Sequence, residues 1–156
     1  MRGRWVRNVP LGCQPHAGLI LDSAGNLYGT TLFGGPVDGG TVFKVDPLGN
    51  ETMLYAFAGG YQVAFGPDGG QPYAGVIPDS AGNLYGTTSG GGTSNQGVVY
   101  KLDTALNETV LYTFTGGADG GFPQAGVIGD STGHLYGTTA NGGANAGGVV
   151  FELGPH

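Results

Sequence analysis

Three acidic side chains mark where this sequence could carry out chemistry. Asp38, Asp68 and Asp119 each lie in a glycine-rich segment of the kind that forms loops. Two carboxylates about 5 to 10 Å apart can hydrolyse a glycosidic bond, so these three are weak candidates for catalytic residues. The sequence has no HExxH metal motif, phosphate-binding loop or nucleophile elbow, and therefore no specific catalytic signature.

Asp68 and Asp119 share the local sequence D-G-G-x-P, which leaves two roles open. Such an aspartate can stabilise its own loop by accepting backbone hydrogen bonds, or it can contact a ligand or a calcium ion. Because no D-x-D-x-D spacing occurs, the calcium signal is weak, and we predict neither a metal site nor a cofactor.

One further position holds His16, Tyr73 or Gln124, each just before an Ala-Gly pair. An aromatic or polar side chain there suits contact with a sugar or another small ligand, while plain lining of a channel is the alternative. The ligand-binding candidates are these residues, the D-G-G aspartates and two loop asparagines: His16, Tyr73, Gln124, Asp68, Asp119, Asn95 and Asn141.

The elements that must position these side chains come from an internal repeat. AGLILDSAGNLYGTT at 17–31 returns with few changes at 74–88 and 125–139. We interpret the chain, 1–156, as a single repeat domain of units about 50 residues long. The predicted boundaries are 14–70, 71–121 and 122–153, with 1–13 as a divergent N-terminal strand.

Each repeat contains four short runs rich in Val, Ile, Leu, Tyr, Thr and Phe, bounded by turn residues. We therefore predict an all-β protein with less than about 5% helix. In the first repeat the strands are expected near 17–22, 26–32, 41–46 and 51–57. Alternation in the last run of the second repeat predicts that Val110, Tyr112 and Phe114 share one face.

The D-S-x-G-N segment predicts a tight turn between the first two strands, with glycine at a positive φ. An acid needed for catalysis is needed once, whereas a turn-forming acid is needed in every repeat. We therefore interpret the aspartates that recur here as turn formers: Asp22, Asp79 and Asp130.

The pattern D-S-x-G-N/H-L-Y, a glycine-rich loop and G-x-V-F/Y-K/E resembles the GloVer tandem-repeat family, and more broadly NHL-type and SBBP-type propeller repeats. The resemblance covers residues 14–153. It implies a β-propeller of four-stranded antiparallel blades, three per chain, in a secreted or cell-surface setting. A β-trefoil, which also uses three four-stranded units, is the alternative fold.

The third repeat stops at 149–153, before any fourth strand, and residues 2–6 would have to supply one. Propellers usually have four to eight blades, so three blades predict a homodimer that closes a six-bladed ring. An insertion at 61–66 lies in a loop, where added residues cost little.

In a propeller the loops fall at two ends. The tight-turn end carries the D-S-x-G-N turns, whose compactness predicts little room for a pocket. The long-loop end, where we expect a ligand, carries the longer loops that differ between repeats: 33–40, 67–73, 89–97, 118–124 and 140–148.

Charge and composition exclude several partners. The net charge is −6 with only five basic residues, so neither nucleic acid nor an anionic membrane surface is expected as a partner. No apolar run approaches the roughly 20 residues of a membrane span. The N-terminus lacks the apolar core of a signal peptide. Cys13, the single cysteine, permits no intrachain disulfide.

Three functions remain: an adhesive scaffold, a module that binds carbohydrate or another small ligand, and a polysaccharide-cleaving glycoside hydrolase. We favour a non-catalytic surface module, and the hydrolase is the alternative.

Overall fold

A computed structural model describes residues 12–59 and 66–155. Within these ranges the chain forms strands, turns and bends, and no helix, which confirms the all-β prediction. No helix in the described part is long and apolar enough to cross a membrane. The strands, in chain order, are β1 (Gly12–Cys13), β2 (Ile20–Leu21), β3 (Leu27–Thr31), β4 (Phe33–Gly34), β5 (Thr41–Val45), β6 (Glu51–Ala56), β7 (Ile77–Pro78), β8 (Leu84–Thr88), β9 (Val98–Leu102), β10 (Glu108–Thr113), β11 (Ile128–Gly129), β12 (Leu135–Thr138) and β13 (Val150–Leu153).

Each repeat forms its own antiparallel sheet, with the strands in chain order. The first sheet is β2-β3-β5-β6, the second is β7-β8-β9-β10 and the third is β11-β12-β13. A small two-stranded sheet, β1-β4, joins the segment before the first repeat to the loop that follows β3. The predicted strand positions are confirmed for the last three strands of the first repeat, and the leading strand is reduced to two residues.

The fourth strand of each complete sheet contains a bulge that the alternation did not predict. In β10 the register shifts between Val110 and Tyr112, so that Val110 lies opposite Tyr100 and Tyr112 opposite Val99. The extra residue turns Val110 to the other face of the sheet, and the prediction that it shares a face with Tyr112 and Phe114 is wrong. β6 shows the same shift.

The core lies between successive sheets. Val42 and Phe57 of the first sheet pack with Val76, Val98 and Tyr100 of the second, and all five side chains are at most 2% exposed. Phe57 stacks edge-on against Tyr100 with ring centroids 5.1 Å apart.

The same packing recurs one repeat later. Val99 and Phe114 of the second sheet meet Val127 and Leu135 of the third. Phe114 contacts Phe151 at the same centroid distance, 5.1 Å. In both cases, two successive sheets bury the apolar side chains on the faces that they turn toward each other.

Side-chain hydrogen bonds also link successive sheets. The hydroxyl of Thr30 donates to the carbonyl of Ala74 in the next repeat at 2.9 Å, and that of Thr87 donates to the carbonyl of Ala125 at 2.9 Å. Among the described residues the third sheet has no fourth strand, as predicted. The proposed completing strand, 2–6, and most of the insertion at 61–66 lie outside the described residues.

Candidate functional site

The residues just before each Ala-Gly pair are set in place by an unusual backbone conformation two positions earlier. Gln14, Gln71 and Phe122 have φ values of 57°, 57° and 53°, in the left-handed region that non-glycine residues seldom adopt. The amide of Gln71 donates to the carbonyl of Gly39 in the preceding repeat at 2.8 Å, and its carbonyl accepts from the amide of Ser89 at 3.1 Å. The backbone is thus held from both sides. A proline follows, and after it comes the position just before the Ala-Gly pair, which we call the slot.

The slot residues form a row on the surface. His16 and Gln124 are exposed, and Tyr73 is 37% exposed. The rings of His16 and Tyr73 are 6.0 Å apart between centroids and inclined at 55°. His16 and Tyr73 offer aromatic rings with imidazole and phenol hydrogen-bonding groups, and Gln124 offers an amide. This is the combination that the sequence predicted for sugar contact.

Asp68 is placed differently from what a ligand-binding role needs. It is 9% exposed, and its Oδ2 accepts hydrogen bonds from the hydroxyl of Tyr55 at 2.9 Å and the amide of Ala58 at 2.8 Å. These contacts hold the end of β6 against the D-G-G loop. Of the two roles left open for Asp68, its geometry supports loop stabilisation.

Asp119 repeats this arrangement in the next repeat. It accepts from the hydroxyl of Tyr112 at 3.1 Å and from the amide of Thr115 at 2.9 Å, and the Thr115 hydroxyl is also bonded to it. The Thr115 side chain is the main reason that the pKa of Asp119 lies below its usual range. Asp119 is therefore a charged acceptor, which a general acid is not.

Asp38 and Asn95 close the two loops in which they lie. Oδ1 of Asp38 accepts from the amide of Gly34 at 2.7 Å, and Oδ1 of Asn95 accepts from the amide of Gly91 at 3.0 Å. Both residues are exposed and have positive φ. Asn141 is exposed, and its backbone pairs with Gly121.

The turn aspartates behave as predicted. In Asp79, Oδ1 accepts from the amides of Ala81 and Asn83, both at 2.9 Å. Oδ2 accepts from the Asn83 side chain at 2.7 Å and from the hydroxyl of Tyr85 at 3.1 Å. Burial raises the pKa of Asp79, but these hydrogen bonds lower it more, so the pKa lies below its usual range. Asp22 makes all the equivalent contacts. Asp130 makes the backbone and tyrosine contacts, and the hydroxyl of Thr132 donates to it in addition, since His134 replaces the asparagine.

A half-buried acid between the first two sheets, Glu108, was not among the predicted site residues. Burial, with a smaller contribution from the charge of Asp68, raises the pKa of Glu108 to about 7. Oε1 of Glu108, Oδ1 of Asp68 and the hydroxyl of Tyr100 are all buried and make no hydrogen bond within the described part. One sequence signal could have identified Glu108. It lies two residues before Val110 on the same strand, so both side chains are on the face that packs against the first sheet.

The prediction of little room at the tight-turn end is wrong. A groove of about 770 Å³ runs there between the second and third sheets, and a smaller one of about 270 Å³ lies between the first and second. Asp79 and Ser80 line both grooves, and Ile128, Thr132 and His134 line the larger one. Each turn is compact, but adjacent turns diverge, and the space opens between repeats.

The described residues contain no cluster of three or more His, Cys, Asp or Glu side chains that could hold a metal ion. Cys13 is free and exposed in β1. His16, Tyr73 and Gln124 can stack on a polar ligand and form hydrogen bonds with it. Each of the three candidate acids, Asp38, Asp68 and Asp119, already accepts a hydrogen bond from a backbone amide nearby.

A family model described as Gloeobacter/Verrucomicrobia repeat matches residues 14–156. No curated protein matches the chain.

Proposed function

The chain belongs to the Gloeobacter/Verrucomicrobia repeat family, and on that basis we propose that it is a β-propeller module that binds carbohydrate. The propeller interpretation is supported by the sheets themselves. Each complete repeat folds into a separate four-stranded meander that stacks face to face on the next, as blades do. The trefoil is less well supported, because no ladder of three or more strands combines strands from different repeats in the described chain.

The observation that carries carbohydrate binding is the row His16, Tyr73 and Gln124. One slot in three successive repeats presents an exposed aromatic or polar side chain, on a backbone fixed by the left-handed residue before the proline. A sugar offers an apolar ring face rimmed by hydroxyl groups, and the Tyr73 ring with the neighbouring imidazole of His16 complements both. A secreted or cell-surface location fits a surface that is polar through uncharged residues, with only 10% charged residues in the chain.

A glycan array followed by calorimetry tests this proposal. Tyr73→Ala should weaken the binding of a glycan hit at least about tenfold, the effect of roughly 1.4 kcal/mol of lost stacking and hydrogen bonding. Asp68 is unsuitable for this test, since its removal would disturb the end of β6.

Ser80→Arg is the matched control, because Ser80 lines both tight-turn grooves, so that a long charged side chain there obstructs that end and leaves the row untouched. If Ser80→Arg abolishes binding and Tyr73→Ala has no effect, the ligand site lies at the tight-turn end. No binding to any glycan would favour the adhesive scaffold.

A glycoside hydrolase is the second candidate. It is favoured by the neighbouring carboxylates of Glu108 and Asp68, since the pKa of Glu108 at about 7 is suitable for a general acid. Against it, both groups are turned into the contact between sheets. Release of reducing sugar from plant or microbial polysaccharides, abolished by Glu108→Gln, would establish the enzyme.

We further propose that two chains form a homodimer with six blades. Three repeats give three sheets, below the usual range of four to eight blades, and among the described residues no strand pairs with the outer edge of β13.

A further inference from the structure

One face of the third sheet is exposed where the same face of the other sheets is covered. Val42 and Val99 occupy equivalent places in β5 and β9, and both are 0% exposed under the sheet that follows. Their counterpart in the third sheet, Val150, is 80% exposed. Val150 is thus an apolar side chain at a position that no later repeat of the described chain covers.

The same face carries a hydroxyl without the partner that its equivalents have. Thr30 and Thr87 each donate to the carbonyl of an alanine in the next repeat. Thr138 takes their place in β12, opposite Val150, and is exposed. The third sheet therefore presents both the apolar and the hydrogen-bonding parts of a contact between sheets.

The first repeat presents the complementary half. Val76 and Val127 lie in the leading segments of the second and third repeats and are 2% and 3% exposed, packed on the sheet before them. Leu19, the equivalent residue in the first repeat, is 53% exposed.

The Ala-Gly pair of the leading segment shows the same asymmetry. A Cβ atom on Gly75 would lie 2.8 Å from the carbonyl oxygen of Gly18, because successive Ala-Gly pairs pack backbone to backbone. A Cβ on Gly18 itself would meet nothing within 4 Å. Gly18 therefore leaves room for the close backbone contact that Gly75 makes, but within the described part of the chain nothing occupies that space.

We propose that the outward face of the third sheet, around Thr138 and Val150, docks on the leading segment of the first repeat, 17–19, in a second copy of this chain. The Thr138 hydroxyl donates to the carbonyl of Ala17 in that copy, as Thr30 does to Ala74. Val150 packs there as Val99 packs within the chain. The contact is head-to-tail, and two such contacts close the dimer. This inference deepens the homodimer proposed above and is independent of ligand binding.

The internal contacts identify a second copy as the occupant. The clusters that bury Val42 and Val99 each include a valine of the leading segment of the next repeat, Val76 or Val127. The first repeat carries that segment, AGLI, in nearly the same sequence as AGVI of the second and third. Both halves of one interface are therefore present in one chain, and within residues 12–59 and 66–155 neither half is covered.

Sedimentation velocity of the full chain over a range of concentrations, under reducing conditions because Cys13 is exposed, tests the proposal. We expect the wild type to form dimers. Val150→Lys should raise the dissociation constant at least about tenfold, since it would bury an unpaired charge. Gly18→Val should do the same from the other half of the interface, by steric clash. Neither change should alter the circular dichroism spectrum.

Leu21→Lys is the matched control. Leu21 is 69% exposed, and its counterpart Pro78 is exposed even though its repeat has a sheet before it, so this position lies outside the contact. The variant should dimerise like the wild type. A monomeric wild type would overturn both the dimer and its interface. A dimer that withstands both Val150→Lys and Gly18→Val would overturn the interface alone, and a glycan that still binds would leave the ligand proposal intact.

Discussion

The oxygen atoms of one aspartate hold each tight turn together. Asp79 accepts two backbone amides, the amide group of Asn83 and the hydroxyl of Tyr85, whose ring is 6% exposed in the core. We predict that Asp79→Ala lowers the free energy of unfolding by about 1–3 kcal/mol, because these donors lose a charged acceptor. Urea denaturation measures the change.

Asp103→Ala is the control for this change. Asp103 accepts the same kind of backbone and asparagine donors in an exposed hairpin, but no tyrosine of the core. It should cost clearly less. Equal losses for the two variants would show that the tyrosine contact does not stabilise the turn.

Glu108 should make stability depend on pH above the range of the aspartates. Its pKa in the folded protein, about 7, exceeds the ordinary value of 4.5, so the folded state holds a proton that the unfolded state has released. The contribution of Glu108 is full below pH 4.5 and falls as the pH rises toward 7. The pKa values of the turn aspartates lie below 3.8, so these residues act at lower pH.

Glu108→Gln should therefore reduce the fall in the free energy of unfolding between pH 4.5 and 7, with Glu51, whose pKa burial also raises, keeping part of it. Asp103→Asn serves as control, because the pKa of Asp103 is lowered by its hydrogen bonds with Asn107 and the residue therefore acts below this pH range. Denaturant titrations at several pH values give the slope. An unchanged slope in Glu108→Gln would assign the effect to another group.

One of the hydrogen bonds between neighbouring repeats can be removed by a nearly isosteric substitution. Thr87→Val leaves the carbonyl of Ala125 without its donor, and we predict a loss of about 1–3 kcal/mol in the free energy of unfolding. Thr138→Val, at the equivalent exposed position, should cost less than about 0.5 kcal/mol at concentrations where the chain is monomeric. Equal effects would mean that the contact between sheets does not depend on this bond.

Much of each repeat could be predicted from sequence, since strands, turns and turn aspartates are all local. The departures arise from contacts between elements. The bulge between Val110 and Tyr112 turns one side chain over, and the leading strands shorten because Ala-Gly pairs such as Ala74-Gly75 pack on the neighbouring repeat. Burial of Asp68 depends on Tyr55, thirteen positions away. The tight-turn grooves exist only between repeats, and no single repeat could indicate them.

Protection from solvent should differ between the repeats of the whole molecule. The second sheet has a neighbour on each side, and Val98, Val99 and Tyr100 of β9 are 0% exposed. The third sheet exposes Ile128 and Val150. Since repeats contact only their neighbours, we predict slowest amide exchange in β8 and β9 and faster exchange in β11 and β13, measured by mass spectrometry at concentrations where the chain is monomeric. Equal exchange in all three sheets would indicate fully cooperative opening instead.

The order of strands within each sheet has a consequence for how the chain is made. Every strand of the three main sheets pairs only with the preceding or following strand of its own sheet, so no ladder in them waits for a distant segment. On a ribosome, the first sheet has all its pairing partners once β6 has emerged, well before the third repeat is translated. Each later sheet then finds a finished surface on which to assemble. Synthesis from the N-terminus therefore follows the order of stacking, and folding can proceed during translation as a succession of short, local steps.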